Sequence, residues 1–541
     1  MIRRRFLLVG VLLALFALGW WAGRGGASGD LYANIDLFVE VLHKVEQSYV
    51  EPVEPRQLVE GALRGMLRDL DPHSQYLDAR AYENLQATTQ GSFGGIGVVV
   101  SIRDHHPTVI SPIEGSPAWN LGIRPGDVIT RIDGAASASL TVEEVASRLR
   151  GPEGTHVQIT VEREGEEAPR EYSIEREVIV TKSVPYAFML ENHVGYLRLA
   201  NFSENSGAEV KTAMERLRAS GATRVLLDLR SNPGGLLDQA VDVVEQLVRS
   251  GTLVVQTRGR ARGQTNRYYS AEQRPQLDWP VVVLVDGGSA SAAEIVAGAL
   301  QDLDRALIVG ETSFGKGTVQ SLYPLKGRSV ALKLTTAKYY TPSGRSIHSE
   351  ARNARLLQAE DEEDDEALDD EEPAAPAAPA DTARPAFRTA AGRTVYGGGG
   401  IAPDLIARPD SLPPLTRRVE SRGLTFKFAN RWVKAHPGWK VDSRIDDAVR
   451  RDLVSFLQAE KVAFTADELA AERPVLEGAI RRELARRVGG DGAAARVALQ
   501  TDPVVERALD VLSRTRTPRE VFAAAAAPVP GRLAEHPAPS R

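Results

Sequence analysis

Val281-Val-Val-Leu-Val-Asp-Gly-Gly-Ser-Ala-Ser-Ala-Ala-Glu-Ile-Val-Ala-Gly-Ala-Leu300 is the stretch on which the reading of this chain turns. Its first five residues form a short, fully apolar run of the kind found in buried strands, and Ala292 to Leu300 reads as the helix behind it. Between them lies a glycine-containing corner, Asp286 to Glu294. A similar corner, Arg230-Ser-Asn-Pro-Gly-Gly235, follows the apolar run Val225 to Leu229 and precedes the helical stretch Leu236 to Val248. Strands alternating with helices predict α/β organisation. Ligands of open α/β sheets sit outside the carboxyl ends of the strands, so both corners are candidates for one site.

A serine on the first turn of a helix places its hydroxyl, and the unpaired N–H groups beside it, where an oxyanion would develop, and the helix dipole favours that charge. Ser291 occupies such a position. Ser289 also fits as the helix cap, and a serine ahead of a helix is far more often a cap than a nucleophile. The corner therefore needs a base. No histidine falls in a recognisable triad arrangement, but Gly315-Lys-Gly317 follows the strand-like run Ala306 to Gly310 and puts Lys316 in a corner that can return to the same site. A lysine serves as general base only when neutral, which requires burial among apolar groups. Gln320, four residues on, is placed to hold its amine.

Two other readings of this region compete. Gly310-x-x-x-x-Gly315-Lys316 approaches a phosphate-binding loop, but Gly317 stands where the magnesium-binding Ser or Thr belongs, and Thr318 to Leu325 reads as strand where a helix is needed. Ser313-Phe-Gly-Lys316 is a Ser-x-x-Lys tetrad, the nucleophile arrangement of penicillin-binding proteins, without its companion elements.

Upstream, glycines crowd from Gln90 (Gly91, Gly94, Gly95, Gly97) before a β-like run, Ile96 to Ile102, and then Gly122-Ile-Arg-Pro-Gly-Asp-Val-Ile-Thr-Arg-Ile-Asp-Gly134. This stretch resembles a PDZ domain, in which a Gly-rich loop presents N–H groups to a terminal carboxylate while a strand edge pairs with the peptide. The resemblance puts that loop at Phe93, Gly94, Gly95, Ile96 and Gly97 and the groove helix at Thr141 to Arg150. A β-domain with glycine turns and no ligand is the alternative.

Taken together, Gly65-Met-Leu-Arg-Asp-Leu-Asp-Pro-His-Ser-Gln-Tyr-Leu77, the PDZ segment, Asp228 to Gly235, Ser289 to Ile295, Gly310 to Gln320, Tyr340-Thr-Pro-Ser-Gly-Arg345 and Tyr396 to Asp404 resemble, in order, the carboxyl-terminal processing peptidases, or tail-specific proteases. The likeness spans roughly Leu31 to Ile406. It implies a nucleophile at Ser291, a general base at Lys316 and an orienting partner at Gln320. It also implies an oxyanion hole from the N–H of Ala292 and one from the Gly234-Gly235 turn, whose backbone needs glycine's freedom. Protein substrates bound by their C-terminal tails, apolar by preference, are the expected partners. Ala293 stands where the family often has another serine, and Glu294 is expected to play a supporting part. A PDZ scaffold or chaperone without catalysis is the competing class, and the intact Ser, Lys and Gln set argues against it.

Size and composition frame these motifs. At 541 residues the chain exceeds one core. The expected architecture is multidomain, α+β and α/β: an N-terminal helical region (31–89), a PDZ β-domain (90–178), an α/β protease core (179–348 and 388–410) and a C-terminal helical region (417–541). In the first of these, Ile35, Phe38, Val39, Leu42 and Val45 recur at helical spacing. A net charge of −6 without a basic field argues against nucleic-acid binding, and the absence of cysteine excludes disulfides, thiol nucleophiles and thiolate zinc sites. No His-Glu-x-x-His spacing is present, and neither metal nor cofactor is expected.

Arg3, Arg4 and Arg5 precede an apolar run from Phe6 to Ala22, the layout of a signal anchor or an export signal cleaved near Ala27. The expected location is the periplasmic side of the inner membrane, tethered or exported by residues 1–24. Residues 349–387 carry acidic runs at 360–366 and 369–372 and an Ala-Pro tract, a composition that reads as a disordered insertion. Thr465-Ala-Asp-Glu468 reads as a capping box in the C-terminal region, which in relatives of this family serves dimerisation or adaptor binding.

Overall fold

The computed structural model describes residues 28–352 and 384–527, apart from positions 104, 164, 165, 167, 326 and 328. The Phe6–Ala22 run and nearly all of the acidic insertion lie outside the described residues. Among the described residues no helix is long and apolar enough to cross a membrane.

The N-terminal region comprises helices α1 (Ser28–Ser48), α2 (Pro55–Arg68) and α3 (Ala79–Gln90), with strand β1 (Gln75–Leu77) between the last two. The region read as helical is helical, and Ile35, Phe38 and Val39 of its apolar stripe stand exposed on α1. Strand β1 leaves its own region and pairs antiparallel with a long strand of the protease core, Gln75 opposite Lys333.

The second domain contains β2 (Ser92–Gly95), β3 (Val98–Arg103), β4 (His106–Pro112), α4 (Pro117–Asn120), β5 (Val128–Ile132), β6 (Ala135–Ala136), α5 (Val142–Leu149), β7 (His156–Glu162), β8 (Arg170–Glu175) and β9 (Glu177–Val180). Its sheet runs β3-β4-β5-β7-β8, with β6 on β5. Strand β3 is thus an edge, with α5 alongside. Alternate residues Val157, Ile159 and Val161 of β7 join Ile129, Ile132, Val145 and Leu149 in the core, as a half-buried strand requires. A capping box at Thr141 and Glu144 starts α5. Strands β2 and β9 pair with each other, closing the entry and exit of the domain.

The protease core holds β10 (Tyr186–Met189), β11 (Val194–Arg198), α6 (Ser206–Ala219), β12 (Arg224–Asp228), α7 (Leu237–Glu245), β13 (Leu253–Gly259), β14 (Asn266–Tyr269), β15 (Val281–Val285), α8 (Ala292–Asp302), β16 (Leu307–Gly310), β17 (Thr318–Pro324), β18 (Ala331–Tyr340), β19 (Ala386–Arg388), β20 (Thr394–Tyr396) and β21 (Leu405–Ile406). The main sheet runs β10-β11-β12-β15-β16-β21, parallel except for β10. Its parallel strands follow one another in chain order. Right-handed crossovers therefore throw α6, α7 and α8 onto one face, where they bury Val225, Leu227, Val281, Val283 and Val285.

The other face would be bare without the C-terminal region, which comprises α9 (Pro414–Ser421), α10 (Leu424–Ala435), α11 (Asp447–Ala459), α12 (Ala466–Leu499), α13 (Pro503–Ser513) and α14 (Glu520–Ala526). Helices α9 to α12 enclose a core of their own around Phe428, Trp432, Leu453 and Ile480. Helices α13 and α14 instead set Val504, Val505, Ala508, Leu512 and Val521 against Leu226, Val282, Leu284, Leu307 and Val309. The C-terminal region is thus not a separate appendage: its last helices complete the protease core.

Candidate active site

Both sequence corners meet at the carboxyl ends of β12 and β15. The β12 corner rests on Asp228, which is buried and accepts from Tyr196 Oη at 2.9 Å, Arg198 Nη1 at 3.2 Å and Arg230 Nη2 at 2.8 Å. Burial works against its ionisation, but Arg230 and Arg198 outweigh it and hold the carboxyl below the usual range. Arg230 reaches on to Asp502, which caps α13, at 2.7 Å. Buried Asn232 shapes the turn that follows: its Nδ2 donates to Leu199 O at 2.8 Å and its Oδ1 accepts from Gly234 N at 2.8 Å.

The β15 corner carries Ser291 at φ 55° and ψ −114°, a backbone conformation that L-residues rarely adopt. Such strain at a strand-to-helix turn lifts a side chain clear of the sheet. It persists because the surroundings over-determine it. Ala290 N donates to Asn232 O at 2.9 Å, and Ser291 N donates to Glu294 Oε2 at 2.9 Å. Ser289, the alternative serine, is fully buried, with its Oγ donating to Leu229 O at 2.8 Å and accepting from Asp286 N at 2.9 Å. It is a structural residue.

The two corners touch at Gly234, whose φ is +95°. A methyl group there would lie 2.7 Å from Ser291 Cβ and 2.9 Å from Ala292 N, so only hydrogen fits. The Gly234 N–H is spent on Asn232. The N–H groups of Ala292, at the start of α8, and of Gly235 have no acceptor among the described residues. Of the two glycines named for the oxyanion hole, Gly235 is therefore the one with a donor to give.

Lys316 lies in the loop between β16 and β17, and Glu294 fastens this loop to the serine corner. The Glu294 carboxylate is fully buried and accepts from Ser313 Oγ at 2.5 Å, Gly315 N at 2.7 Å and Lys316 N at 2.8 Å, in addition to Ser291 N. Burial pushes its carboxyl up, against the pull of those bonds. The buried Tyr339 hydroxyl makes a second hold on this loop, donating to Lys316 O. The Lys316 amine is held below the ordinary lysine range, first by burial and then by the Lys333 charge, while Glu294 and Asp71 pull the other way.

Ser313 and Gln320 differ from their sequence readings. The Ser313 hydroxyl, buried, donates to Glu294 and accepts from Ile401 N at 2.7 Å, so the tetrad's nucleophile is committed to structure. Gln320 directs its Nε2 to Thr318 Oγ1 at 2.9 Å and Thr335 Oγ1 at 3.3 Å, and among the described residues no hydrogen bond joins it to the Lys316 amine. The β-ladder explains this: a register shift between Val319 and Gln320 sets the amide opposite Thr335 of β18. The same strand, Thr318–Pro324, occupies the place where a phosphate-binding loop would need a helix. Glu294, given only a supporting part, and Tyr339, not singled out at all, prove central to the geometry. The spacing of Glu294 three residues past Ser291 was the available signal; Tyr339 gave none, being one aromatic in an alternating strand.

In the second domain, Phe93, Gly94 and Gly95 are residues of β2 paired with Ile179, Val178 and Glu177 of β9. The Phe93 ring is covered by Arg150, 4.4 Å from its centroid. The unpaired part of the expected loop narrows to Ile96 and Gly97, whose N–H groups have no acceptor among the described residues, with Gly97 at φ +74°. Among the described residues, no cluster of three or more His, Asp or Glu side chains could hold a metal ion.

Comparison with known proteins follows the same order along the chain. The pattern of peptidase family S41 matches residues 193–352, that of the PDZ domain residues 108–163, and that of the activating protease CtpB N-terminal domain residues 28–81. A carboxy-terminal-processing protease of Bartonella bacilliformis is 42% identical over 322 residues, covering 59% of this chain and 73% of that protein. A carboxyl-terminal-processing protease of Synechocystis sp. is 38% identical over 313 residues, covering 56% and 72%. A carboxy-terminal processing protease of Bacillus subtilis is 35% identical over 326 residues, covering 60% and 68%. With three segments matched in order and such identity across most of a relative's length, the chain belongs to the carboxy-terminal processing peptidases of family S41, serine-type peptidases with a PDZ domain.

Proposed function

We propose that Ser291 and Lys316 form a catalytic dyad that hydrolyses peptide bonds of proteins whose C-terminal tails are engaged by the PDZ domain. One observation carries the reading: the strained Ser291 is joined to the Lys316 loop through the buried Glu294 carboxylate, which accepts from the backbone N–H of both, beside two unpaired N–H groups. In the first step the neutral Lys316 amine takes the Ser291 proton as Oγ attacks the scissile carbonyl. The tetrahedral oxyanion is held by the N–H groups of Ala292 and Gly235. The Lys316 ammonium returns its proton to the leaving amine, giving an acyl-serine. Water, losing its proton to Lys316, then attacks the acyl carbonyl, and the Lys316 ammonium returns that proton to the departing Ser291 Oγ, releasing the new carboxyl terminus and restoring both groups. Burial of Lys316 favours its neutral amine, the form a lysine base needs.

The open edge of β3, with Val99 exposed, and the helix α5 beside it support capture of an extended tail by strand addition, with the terminal carboxylate at the Ile96 and Gly97 N–H groups. The arginine-led apolar run and the exposed apolar stripe of α1 that follows it support export to, and retention at, the outer face of the inner membrane.

Degradation of a loosely folded protein with an apolar tail tests the dyad. Loss in Ser291→Ala and Lys316→Ala, with activity kept in Ser313→Ala, supports it. Tail binding without cleavage by the wild-type chain, at every pH and tail tried, would favour a scaffold. Fractionation of cells expressing the full chain tests export, and recovery in the cytosolic fraction refutes it.

A further inference from the structure

The N-terminal region sends one segment into the lysine corner. Helix α2 ends at Arg68, and residues 69–74 turn into β1 on the edge of β18. Asp71 holds this turn by accepting from His73 N at 2.8 Å, Ser74 N at 3.0 Å, Ser74 Oγ at 2.7 Å and Thr335 Oγ1 at 3.0 Å. Thr335 N in return donates to Ser74 Oγ at 3.1 Å. These bonds fix the backbone on both sides of His73, yet none engages its ring. His73 Nε2 is buried without a hydrogen-bond partner. A buried nitrogen without a partner is a cost that a fold does not carry without a reason.

The charged groups whose fields act on this ring are Lys316 from the β16–β17 loop, Lys333 of β18, Asp71 of its own turn, and His348. Burial, then Lys316, presses the imidazole down to about 4, so it is neutral at pH 7. Those facing Lys316 are Lys333, Glu294 and Asp71, with Tyr339 on its backbone carbonyl. The acceptors in this set are already engaged: each Glu294 oxygen takes two donors, and Asp71 takes four bonds. The Gln320 amide nitrogen is turned to Thr318 and Thr335.

Resting on the reading of Lys316 as general base, we infer that His73 is a positioning residue for that base: its neutral ring, protonated on Nδ1, offers the bare Nε2 lone pair to one N–H of the Lys316 amine. A lysine amine turns freely on a flexible stem. With one N–H anchored, its own lone pair is aimed at the Ser291 hydroxyl. Once Lys316 has taken the serine proton, the same contact becomes a charge-assisted bond that steadies the ammonium until the leaving amine receives that proton. Because His73 arrives on the N-terminal region, the base is complete only when that region is docked on β18.

The test is kcat/KM for tail cleavage against pH, using the full chain as wild type, His73→Ala, His73→Gln and Lys316→Ala. His73→Ala is expected to lose about 10- to 100-fold at pH 7 and to move its ascending limb down by about half a unit, because a bond that favours the ammonium over the amine is gone. His73→Gln, with an acceptor in a similar place, is expected to keep at least about a third of the rate and an unmoved limb. Equal losses at every pH in both His73 variants, with the limb unmoved, would overturn the proposal and leave the ring a packing element. If Lys316→Ala still cleaves, the base reading fails and the positioning role falls with it. If Lys316→Ala is dead while His73→Ala keeps the wild-type profile, the base reading stands and only the positioning role is lost.

Discussion

Ser291 stands on a corner made by a single strand, turn and helix, whereas the setting of Lys316 is assembled from segments far apart in the chain: Asp71 and His73, Glu294, Lys333 and Tyr339. The first corner is a local device. A buried strand must end, α8 must begin, and the residue between them takes the strain. The second has no local stability of its own, because the loop 311–317 is held by hydrogen bonds to Glu294, Ile401 and Tyr339. A nucleophile needs only exposure and adjacent donors. A lysine base needs its charge suppressed, which takes desolvation by many neighbours.

The largest effect should come from the local corner. Ser291→Ala is expected to lower cleavage by at least about 10⁴-fold with the thermal midpoint close to wild type, measured by product release and calorimetry; residual cleavage within tenfold would dissolve the contrast by removing the nucleophile from it. Glu294→Gln attacks the joint between the corners. Its amide would set a donor against N–H groups that now meet a carboxylate oxygen, so we expect about 100-fold loss in kcat and about 2–3 kcal/mol of stability by denaturant unfolding. A loss of stability with kcat intact would mean the two corners do not need each other.

The remaining variants sharpen the Lys316 side. A base acts when deprotonated, so kcat/KM should rise with pH through a limb set by Lys316, below the ordinary lysine range. Lys333→Gln removes a like charge that helps to depress it, so the limb should move to higher pH, by about half a unit, and activity at pH 7 should fall about threefold. A limb moving down would reverse the assignment. Ser313→Ala, which removes one of the four bonds to Glu294, should cost about two- to fivefold in kcat, far less than a nucleophile would. Asp502→Asn weakens the hold of α13 on Arg230 and thus on the Gly234–Gly235 turn; about a twofold fall in kcat with KM unchanged is expected from steady-state kinetics.

The sequence carried the strand–corner–helix units, the glycines that let two backbones approach, and the order of domains. These are legible because each depends on neighbours within about ten residues: an apolar run followed by Gly-Gly-Ser-Ala-Ser has few other structures open to it. The same locality left Ser289 and Ser291 as two choices, and only the folded chain shows the Ser289 hydroxyl buried on Leu229 O.

Tertiary structure decided the rest. Chain-order strands leave one face of the sheet bare, and only the folded chain shows α13 and α14 covering it. The engagement of Gln320 with Thr335 followed from a ladder shift of one residue. Which glycine of residues 234 and 235 has a free N–H depended on the side chain of Asn232. The approach of His73 depends on β1 crossing to β18, a pairing of residues more than two hundred positions apart. Local propensity determines where a nucleophile can stand; the charge state of its base is a property of everything packed around it, and no stretch of sequence contains that by itself.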